Sequence, residues 1–320
     1  MADDFSNRKL VDKCNSFFQE GSSRKDCVGF FLEGDQVGLV RPEIVKKLKK
    51  FPDVFDIVEK GGGRRQASRS VGVHVSPSLT TQRDRTEAVN SALEKLRDKR
   101  ELVALQMWQD DRNIPIYKKF SAEGETLMNL QKAAAPLFGI VTYRVHLNGY
   151  TCDDEGNVSK MWVAVRAKTK ATYPGMYSNM VAGVVHAEHE PWENMRLHCQ
   201  EQASIDEAVL DGLSQNSMVT YCMEDERGVM PGCRFIYDMV LPEDFQPETF
   251  DGEKKHFKLL PIDKVRELLM QDKFKPDCAL VILDFLTRVG LITVEADDDY
   301  LHIMEKIHAP LSTLFPSFSS

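Results

Sequence analysis

The stretch that decides the fold is Gly183-Val-Val-His-Ala-Glu-His-Glu-Pro-Trp-Glu-Asn-Met-Arg-Leu-His-Cys-Gln-Glu-Gln-Ala-Ser-Ile205. Its apolar residues follow the spacing of three and four that buries one stripe of a helix, and Pro191 suits the first helical turn. That stripe consists of Trp192, Met195 and Cys199. We therefore predict a helix whose apolar side packs on a core, with Cys199 as an inert core residue.

The other side of the same predicted helix is polar. His198, Glu201 and Gln202 share one face, because helical residues three and four apart lie above one another. Magnesium prefers hard oxygen ligands such as carboxylates, whereas an amide carbonyl is a weak ligand and an imidazole favours zinc, cobalt or manganese. Only Glu201 carries a carboxylate on this face. The sequence therefore predicts poor magnesium affinity.

The stretch resembles a Nudix box, the sequence signature of the Nudix hydrolases. The signature runs glycine, five residues, glutamate, seven residues, arginine-glutamate, an apolar residue, any residue, two glutamates, any residue, glycine and an apolar residue. The matching residues are Gly183, Cys199, Glu201 and Ile205. The departures are His189 for the first glutamate, Leu197 and His198 for arginine-glutamate, Gln202 for the last glutamate, and Ser204 for the closing glycine. The resemblance therefore implies a Nudix fold with a degenerate box.

The resemblance continues on both sides of the box. The flanking segments look like the branch of the family related to the Nudix domain of fungal thiamine pyrophosphokinase, whose members carry an extra N-terminal domain. These segments are residues 37–43, 51–55, 137–150, 161–166, 170–176, 235–245, 251–253 and 274–285. The resemblance implies an α/β fold, a Nudix-type α/β/α sandwich with a mixed sheet at residues 126–320. A small α+β domain of unknown role would precede it at residues 1–125.

The same resemblance implies an activity. Nudix hydrolases cleave a diphosphate linked to another group with the help of a divalent metal. Here that metal would be magnesium or manganese if the chain is active, and no metal would be bound otherwise. The branch is associated with thiamine diphosphate, its oxo and oxy derivatives, and 8-oxo-guanine nucleoside diphosphates. The implied catalytic residues are Glu201, His198 and Glu253; the implied metal ligands are Gly183, Glu201 and Glu253; the implied substrate contacts are Lys170, Arg166 and Trp192.

Two functions from different classes remain open. The first is a weak or metal-altered diphosphatase acting on a thiamine diphosphate-like or oxidised nucleoside diphosphate compound. The second is a catalytically silent Nudix-fold protein that binds a diphosphate ligand or a protein partner. The degenerate box favours the second function, and the intact flanking segments favour retained ligand binding.

The composition is typical of an intracellular globular protein. The 320 residues allow about two domains, and 42% hydrophobic content is enough for two cores. The net charge of −8 argues against nucleic acid as a main partner, because a phosphate backbone requires a basic surface. The seven scattered cysteines fit a reducing compartment. No apolar run has the length of a signal or a membrane span, so we expect a cytoplasmic protein, with no particular protein partner indicated.

The hydrophobic periodicity also predicts individual elements. Short strands are expected at residues 28–31 and 36–40, and further strands around Val141, Val163 and Ile236. The predicted helices cover residues 42–50, 86–100, 126–135 and 276–287.

Overall fold

The first half of the chain folds into short helices and strands. The protein is described by a computed structural model that covers residues 5–60, 69–109, 112–118, 125–186, 189–248 and 256–315. The elements of the first half are α1 (Asn7–Cys14), β1 (Val28–Leu32), β2 (Asp35–Val40), α2 (Pro42–Leu48), β3 (Phe55–Val58), β4 (Gly72–Val75), α3 (Gln82–Arg97), β5 (Asn113–Tyr117) and β6 (Thr126–Gln131). A 3-10 helix, Lys132–Leu137, ends this half.

Within the described residues, the second half contains longer strands and five α-helices, two of which pack on the faces of the sheet. Its elements are β7 (Thr142–Cys152), β8 (Val158–Val165), β9 (Tyr177–Asn179), β10 (Val181–Val184), α4 (Pro191–Ala203), α5 (Glu207–Leu210), β11 (Ser214–Asp225), β12 (Gly228–Val240), β13 (His256–Pro261), α6 (Ile262–Met270), α7 (Pro276–Arg288) and α8 (Tyr300–Lys306).

The strands of the described chain form three sheets. In the first half, β2-β1-β4-β3 is a four-stranded sheet in which β1 and β4 run parallel, and β5 pairs with β6. In the second half, β11-β12-β7-β8-β13 forms a mixed sheet, with β10 beside β7 and β9 beside β8. The parallel pair in that sheet is β7 with β12, and the other pairs are antiparallel.

The mixed sheet lies between two helices. Val145 and Leu147 of β7 point to the side on which α4 packs, where they share a core with Met195 and Cys199. The opposite side packs against α7, because strand side chains alternate between the two faces and residues such as Ile236 join the core around α7. This arrangement is an α/β/α sandwich, as the resemblance implied. No helix in the described part of the chain is long and apolar enough to cross a membrane.

Most elements predicted from periodicity are confirmed. The helices at residues 86–100 and 276–287 correspond to α3 and α7, and the strands around Val141, Val163 and Ile236 correspond to β7, β8 and β12. The helix predicted at residues 126–135 is wrong. Residues 126–131 form β6, which pairs with β5, and Pro136 lies inside the short 3-10 helix that follows. Proline interrupts a longer helix because it lacks the backbone donor. The backbone of residues 126–131 instead forms its hydrogen bonds with β5.

The two halves contact each other at several places. The core of the first half extends from Phe30 to Ile140, whereas Leu10 and Val11 of α1 pack into the core around α7. The division at residue 125 therefore stays a prediction about domain organisation. What the structure describes is a first half whose N-terminal helix is seated on the second.

Arg41 forms a polar connection between the halves. Its guanidinium group lies 2.8 Å from a Glu224 carboxylate oxygen and donates to the carbonyl oxygen of Asp225 at 2.8 Å. Both charged side chains are only 15% exposed. The hairpin between β11 and β12 is thus held against the start of α2, where Arg41 is the N-cap residue.

We predict that Arg41→Met lowers the free energy of unfolding by about 3 kcal/mol, because removing one partner of a largely buried ion pair leaves the other charge unpaired. Urea denaturation measures the change. The matched control is Arg8→Met, which removes an exposed ion pair with Asp299 and should change stability little. Equal stability of the two variants would contradict this account of Arg41.

Candidate functional site

Helix α4 begins and ends with well-defined caps. Glu190 and Glu193 form a reciprocal capping box around Pro191, and Ser204 closes the helix in the left-handed conformation, with φ of 53°. Such caps satisfy backbone groups that the helix leaves without partners. The position of the polar face of α4 is therefore fixed at both ends.

Asn194 anchors the loop that precedes α4. Its side chain is fully buried, accepts a hydrogen bond from the His186 backbone at 3.0 Å and donates to the His189 carbonyl oxygen at 2.9 Å. The sequence analysis did not single out this residue. A buried asparagine on a helix that otherwise buries apolar residues is the signal that could have identified it, because a buried amide needs hydrogen-bond partners.

His198 is bonded to strand β10. Its Nε2 atom donates to the Val184 carbonyl oxygen at 2.9 Å, and the side chain is buried. Because the carbonyl accepts, the hydrogen lies on Nε2 and the lone pair on Nδ1. Burial lowers the pKa of His198, while the bond to Val184 and the nearby Glu201 raise it less strongly, so the ring is neutral near pH 7.

Gly183 leaves the space that the His198 ring occupies. A Cβ atom on Gly183 would lie 1.9 Å from Cδ2 and 2.0 Å from Nε2 of that ring. These distances are far shorter than any contact between unbonded atoms. The glycine of the box is therefore required here for packing, whatever its role toward a metal.

Gln202 is bonded to the same strand. Its Nε2 atom donates to the Ala182 carbonyl oxygen at 3.3 Å, and its Oε1 atom accepts from the Ala182 backbone at 3.4 Å. Together with the bond from His198 to Val184, these contacts join the polar face of α4 to β10. Two of the positions that the family pattern fills with glutamate are thus used to hold the helix on the sheet.

Glu201 extends away from those contacts. Its side chain is 64% exposed, and one carboxylate oxygen lies 3.6 Å from Nδ1 of His198. Glu253, the second predicted carboxylate, lies outside the described residues. Across the described ranges, no group of three or more histidine, cysteine, aspartate or glutamate residues could hold a metal ion. The described residues do not fit the magnesium site that the family pattern implies.

A cavity of about 560 Å³ opens beside α4. Both halves of the chain line it: Lys132 and Pro136 come from the 3-10 helix after β6, and Gly183 and Glu201 come from β10 and α4. Its described lining contains two carboxylates, Glu201 and Asp277. It also contains eight basic side chains: Arg112, Lys132, Arg144, Arg166, Lys170, Arg227, Arg234 and Lys275.

Asp277 neutralises two of these basic groups. Its carboxylate lies 3.2 Å from Nε of Arg234 and 2.8 Å from Nζ of Lys275. Burial raises the pKa of Asp277, but the positive charges of Lys275 and Arg234 outweigh this and hold the pKa well below its usual range. The carboxylate is therefore ionised, and each of the two cations has a buried counter-charge.

Arg144 is held differently. Its Nη2 atom donates to the Ala182 carbonyl oxygen at 3.4 Å, and its Nε atom is buried without a hydrogen-bond partner. Burial and the neighbouring Arg234 lower the pKa of Arg144, although a guanidinium group stays charged. A buried donor without a partner is costly, so this arginine is suited to an anion placed in the cavity.

The predicted substrate contacts are only partly brought together. Arg166 and Lys170 line the cavity, and Arg166 also donates to the carbonyl oxygens of Tyr173 at 3.0 Å and Thr172 at 2.7 Å. Trp192 is not among the described lining residues. Its ring packs 5.9 Å from that of Tyr237, but the residue is 38% exposed. The prediction that Trp192 belongs to the buried stripe of α4 is therefore wrong, whereas Met195 and Cys199 are buried as predicted.

Comparison with known proteins identifies similar sequences and similar solved structures. A family model described as a domain of unknown function (DUF4743) matches residues 7–142. The chain is 32% identical to Nudix hydrolase 20, chloroplastic, and 30% identical to Nudix hydrolase 24, chloroplastic, both from Arabidopsis thaliana. Each match covers 93% of this chain and 76% of the plant protein. A solved Nudix domain of Shewanella oneidensis NrtR, complexed with ADP ribose, has 14% identity and a TM-score of 0.38, covering 50% of this chain and 100% of that domain.

We predict that Gly183→Ala lowers the free energy of unfolding by about 2 kcal/mol, because the new methyl group overlaps the His198 ring and forces it to move. In a His198→Ala background the same change should cost less than about 0.5 kcal/mol, since the two sites are coupled only through that ring. Urea denaturation of the four proteins completes the cycle.

The matched control for this cycle is Gly212→Ala. A Cβ atom there meets ordinary contacts, at 3.5 Å from the Val209 carbonyl oxygen and 3.9 Å from Met239. It should therefore leave stability unchanged within about 0.5 kcal/mol. An equal cost of Gly183→Ala in both backgrounds would show that the ring does not set the requirement for glycine.

Proposed function

Since the chain belongs to the Nudix hydrolase family, we propose that its cavity binds the diphosphate group of a small organic molecule. We further propose that magnesium-dependent hydrolysis of this ligand is lost or strongly reduced. The candidate ligands are thiamine diphosphate-like compounds and oxidised nucleoside diphosphates, the classes associated with the branch that the sequence resembles.

The charge of the cavity carries the proposal. The whole chain has a net charge of −8, yet eight basic groups and only two carboxylates line the described cavity. A diphosphate offers several negatively charged oxygens, and charge-assisted hydrogen bonds from arginine and lysine to phosphate are among the stronger polar contacts. Asp225, which lies outside this lining, pairs with Arg227, but basic groups still outnumber carboxylates around the cavity, and this supports a polyanionic ligand.

The polar face of α4 argues against efficient magnesium chemistry. His198 and Gln202 bond to backbone atoms of β10, and Glu201 supplies the one carboxylate of that face. A metal that neutralises phosphate oxygens needs hard oxygen ligands in a fixed arrangement. Binding without magnesium-dependent turnover is therefore the function that the described residues support best.

Weak hydrolysis with a different metal is the second candidate. The lone pair on Nδ1 of His198 faces the Glu201 carboxylate at 3.6 Å, and a pair of imidazole and carboxylate suits manganese, cobalt or zinc better than magnesium. These two groups are fewer than the three protein ligands of a typical catalytic zinc site. We therefore rank this candidate below binding alone.

Location and partners follow the same reasoning. All seven cysteines are unpaired, which supports a reducing compartment, and we propose the cytoplasm; the plant relatives, in contrast, are named chloroplastic. We propose neither nucleic acid nor a membrane as a partner, because the basic groups named here lie in a cavity of a chain that is acidic overall.

We predict that the double variant His198→Glu with Gln202→Glu gains magnesium-dependent turnover of thiamine diphosphate or 8-oxo-guanosine diphosphate. The gain over the unchanged protein should be about a hundredfold or more, since a correctly placed metal stabilises the transition state by several kcal/mol. Release of monophosphate product is measured with magnesium, manganese, cobalt and zinc in turn.

Two controls separate the candidates. Glu201→Gln in the double variant should abolish the gained turnover, and calorimetry should show that the unchanged protein binds the diphosphates. Turnover by the unchanged protein with manganese, cobalt or zinc, lost in Glu201→Gln, would favour the second candidate. Efficient turnover by the unchanged protein with magnesium, or no diphosphate binding at all, would overturn the proposal.

A further inference from the structure

One wall of the cavity comes from the first half of the chain. Lys132 is the first residue of the 3-10 helix after β6, and Arg112 directly precedes β5. Both line the cavity together with Arg144 of β7 and Glu201 of α4. The site is therefore shared between the segment matched by the DUF4743 family model, residues 7–142, and the helix that carries the degenerate box.

Backbone contacts place the two basic residues side by side. The backbone nitrogen of Lys132 donates to the Arg112 carbonyl oxygen at 2.9 Å. The neighbouring Gln131 is buried; its Nε2 atom donates to the Gln109 carbonyl oxygen at 2.6 Å, and its Oε1 atom accepts from the Ala133 backbone at 3.0 Å. The start of the 3-10 helix is thus fixed relative to β5.

The 3-10 helix that begins at Lys132, and the residue that follows it, contact both halves of the chain. A Cβ atom on Gly228, which begins β12, would lie 2.1 Å from the Pro136 carbonyl oxygen, so the hairpin of the second half approaches this helix closely. On the other side, the Leu39 backbone of β2 donates to the Phe138 carbonyl oxygen at 2.8 Å. Lys132 therefore projects into the cavity from a segment held on both sides.

The charged groups that act most strongly on Lys132 are all positive. Loss of surrounding water lowers its pKa most, and the charges of Arg144, Arg112, Lys275 and Lys170 lower it further, to about 7. By its accessible surface Lys132 is exposed, and it lines the cavity; solvent therefore screens these effects in part, and a ligand can reach the side chain. Such crowding of like charges is unfavourable in the empty cavity and becomes favourable when an anion is shared between them.

The remaining titratable groups do not provide that anion. Glu201 and Asp277 are the carboxylates of the described lining, and Asp277 is already paired with Lys275 and Arg234. His198 faces the same cavity, but its pKa is lowered by burial, so the ring stays neutral above pH 7. Burial also lowers the pKa of Lys275, but the adjacent Asp277 carboxylate favours its ammonium form. Lys132 is therefore the lining lysine whose charge we expect to change in the neutral to mildly basic range.

We propose that Lys132, supported by Arg112, is a ligand-binding residue that the first half of the chain contributes to the diphosphate site. The inference rests on the proposed function and extends it, because it gives the N-terminal segment a role in binding. The ligand that such a residue favours is a dianionic or more highly charged phosphate ester.

The linkage has a definite sign. A bound anion favours the ammonium form, so the pKa of Lys132 is higher in the complex than in the free protein. Affinity is then greatest below the pKa of the free protein and falls as the pH rises above about 7, by at most about tenfold per pH unit. The fall stops once the pH exceeds the pKa in the complex.

The experiment uses the full chain and ADP as the probe, because the diphosphate of ADP is fully ionised above about pH 7 and its base does not titrate there. Calorimetry at about pH 8 in two buffers of different ionisation enthalpy measures the protons taken up on binding. We expect uptake of a substantial fraction of one proton, and an affinity that falls between about pH 7 and pH 9.

Three variants assign the effect to Lys132. Lys132→Met should weaken ADP binding at about pH 7 by about tenfold or more and remove the proton uptake. Lys132→Arg should bind with an affinity that does not change with pH, because a guanidinium group stays charged. Lys118→Met removes the same charge from an exposed residue 3.3 Å from Asp35, outside the described lining, and should bind like the unchanged protein.

Each outcome has a distinct meaning. Thermal denaturation without ligand checks that all variants are folded. If the unchanged protein binds ADP but Lys132→Met binds equally well and no proton is taken up, the role of Lys132 is overturned while the proposed function stands. If the unchanged protein binds neither ADP nor thiamine diphosphate, the proposed function itself fails, and this inference fails with it.

Discussion

The contact between α4 and β10 is the constraint on which the site depends. His198 donates to Val184, Gln202 pairs with Ala182, and the absence of a side chain on Gly183 gives the His198 ring its place. Polar groups buried beside a backbone strand must be satisfied, and these side chains do so in neutral form. Glutamates at these two positions could not donate to the Val184 and Ala182 carbonyl oxygens, so their carboxylates would be available to hold a metal instead. The replaced box is thus a consistent packing solution for holding the helix on the sheet.

The same constraint explains the charge of the cavity. With the carboxylates of the box absent, Arg144 and the other basic groups of the lining are balanced by few negative charges. In a family member with a bound divalent metal, the metal and acidic side chains would share the neutralisation of a diphosphate with the protein's cations. In the proposed function, the bound diphosphate supplies the missing negative charge. The close contacts of Gly228 with Pro136 and of Arg41 with Glu224 hold the first half of the chain on the β11–β12 hairpin, beside the cavity that Lys132 lines.

Local pattern predicted much of the fold and little of the site. The apolar stripe of α4 and the alternation in the strands are visible in single segments, so their elements could be identified. The helix expected at residues 126–135 could not be excluded locally, because the strand that pairs with it, β5, is separate in sequence. Arg144 and Arg234 did carry a signal, because each is a charged residue within a strand that also contains buried apolar residues. Lys132 carried none, since its role depends on cations that meet only after folding. Met195 and Cys199 form the predicted apolar stripe of α4, whereas Trp192 is 38% exposed and lies outside the described lining of the cavity.

The most direct test of the central claim is nitrogen-15 NMR of the histidine side chains, with His198 assigned by its absence in His198→Ala. We predict a neutral ring with the hydrogen on Nε2 near pH 7, because Val184 accepts from that atom and burial lowers the pKa. Adding magnesium should leave both ring nitrogen signals unchanged. A ring with its hydrogen on Nδ1, or signals that shift as magnesium is added, would contradict the conclusion that this face of α4 serves to hold the helix rather than a metal.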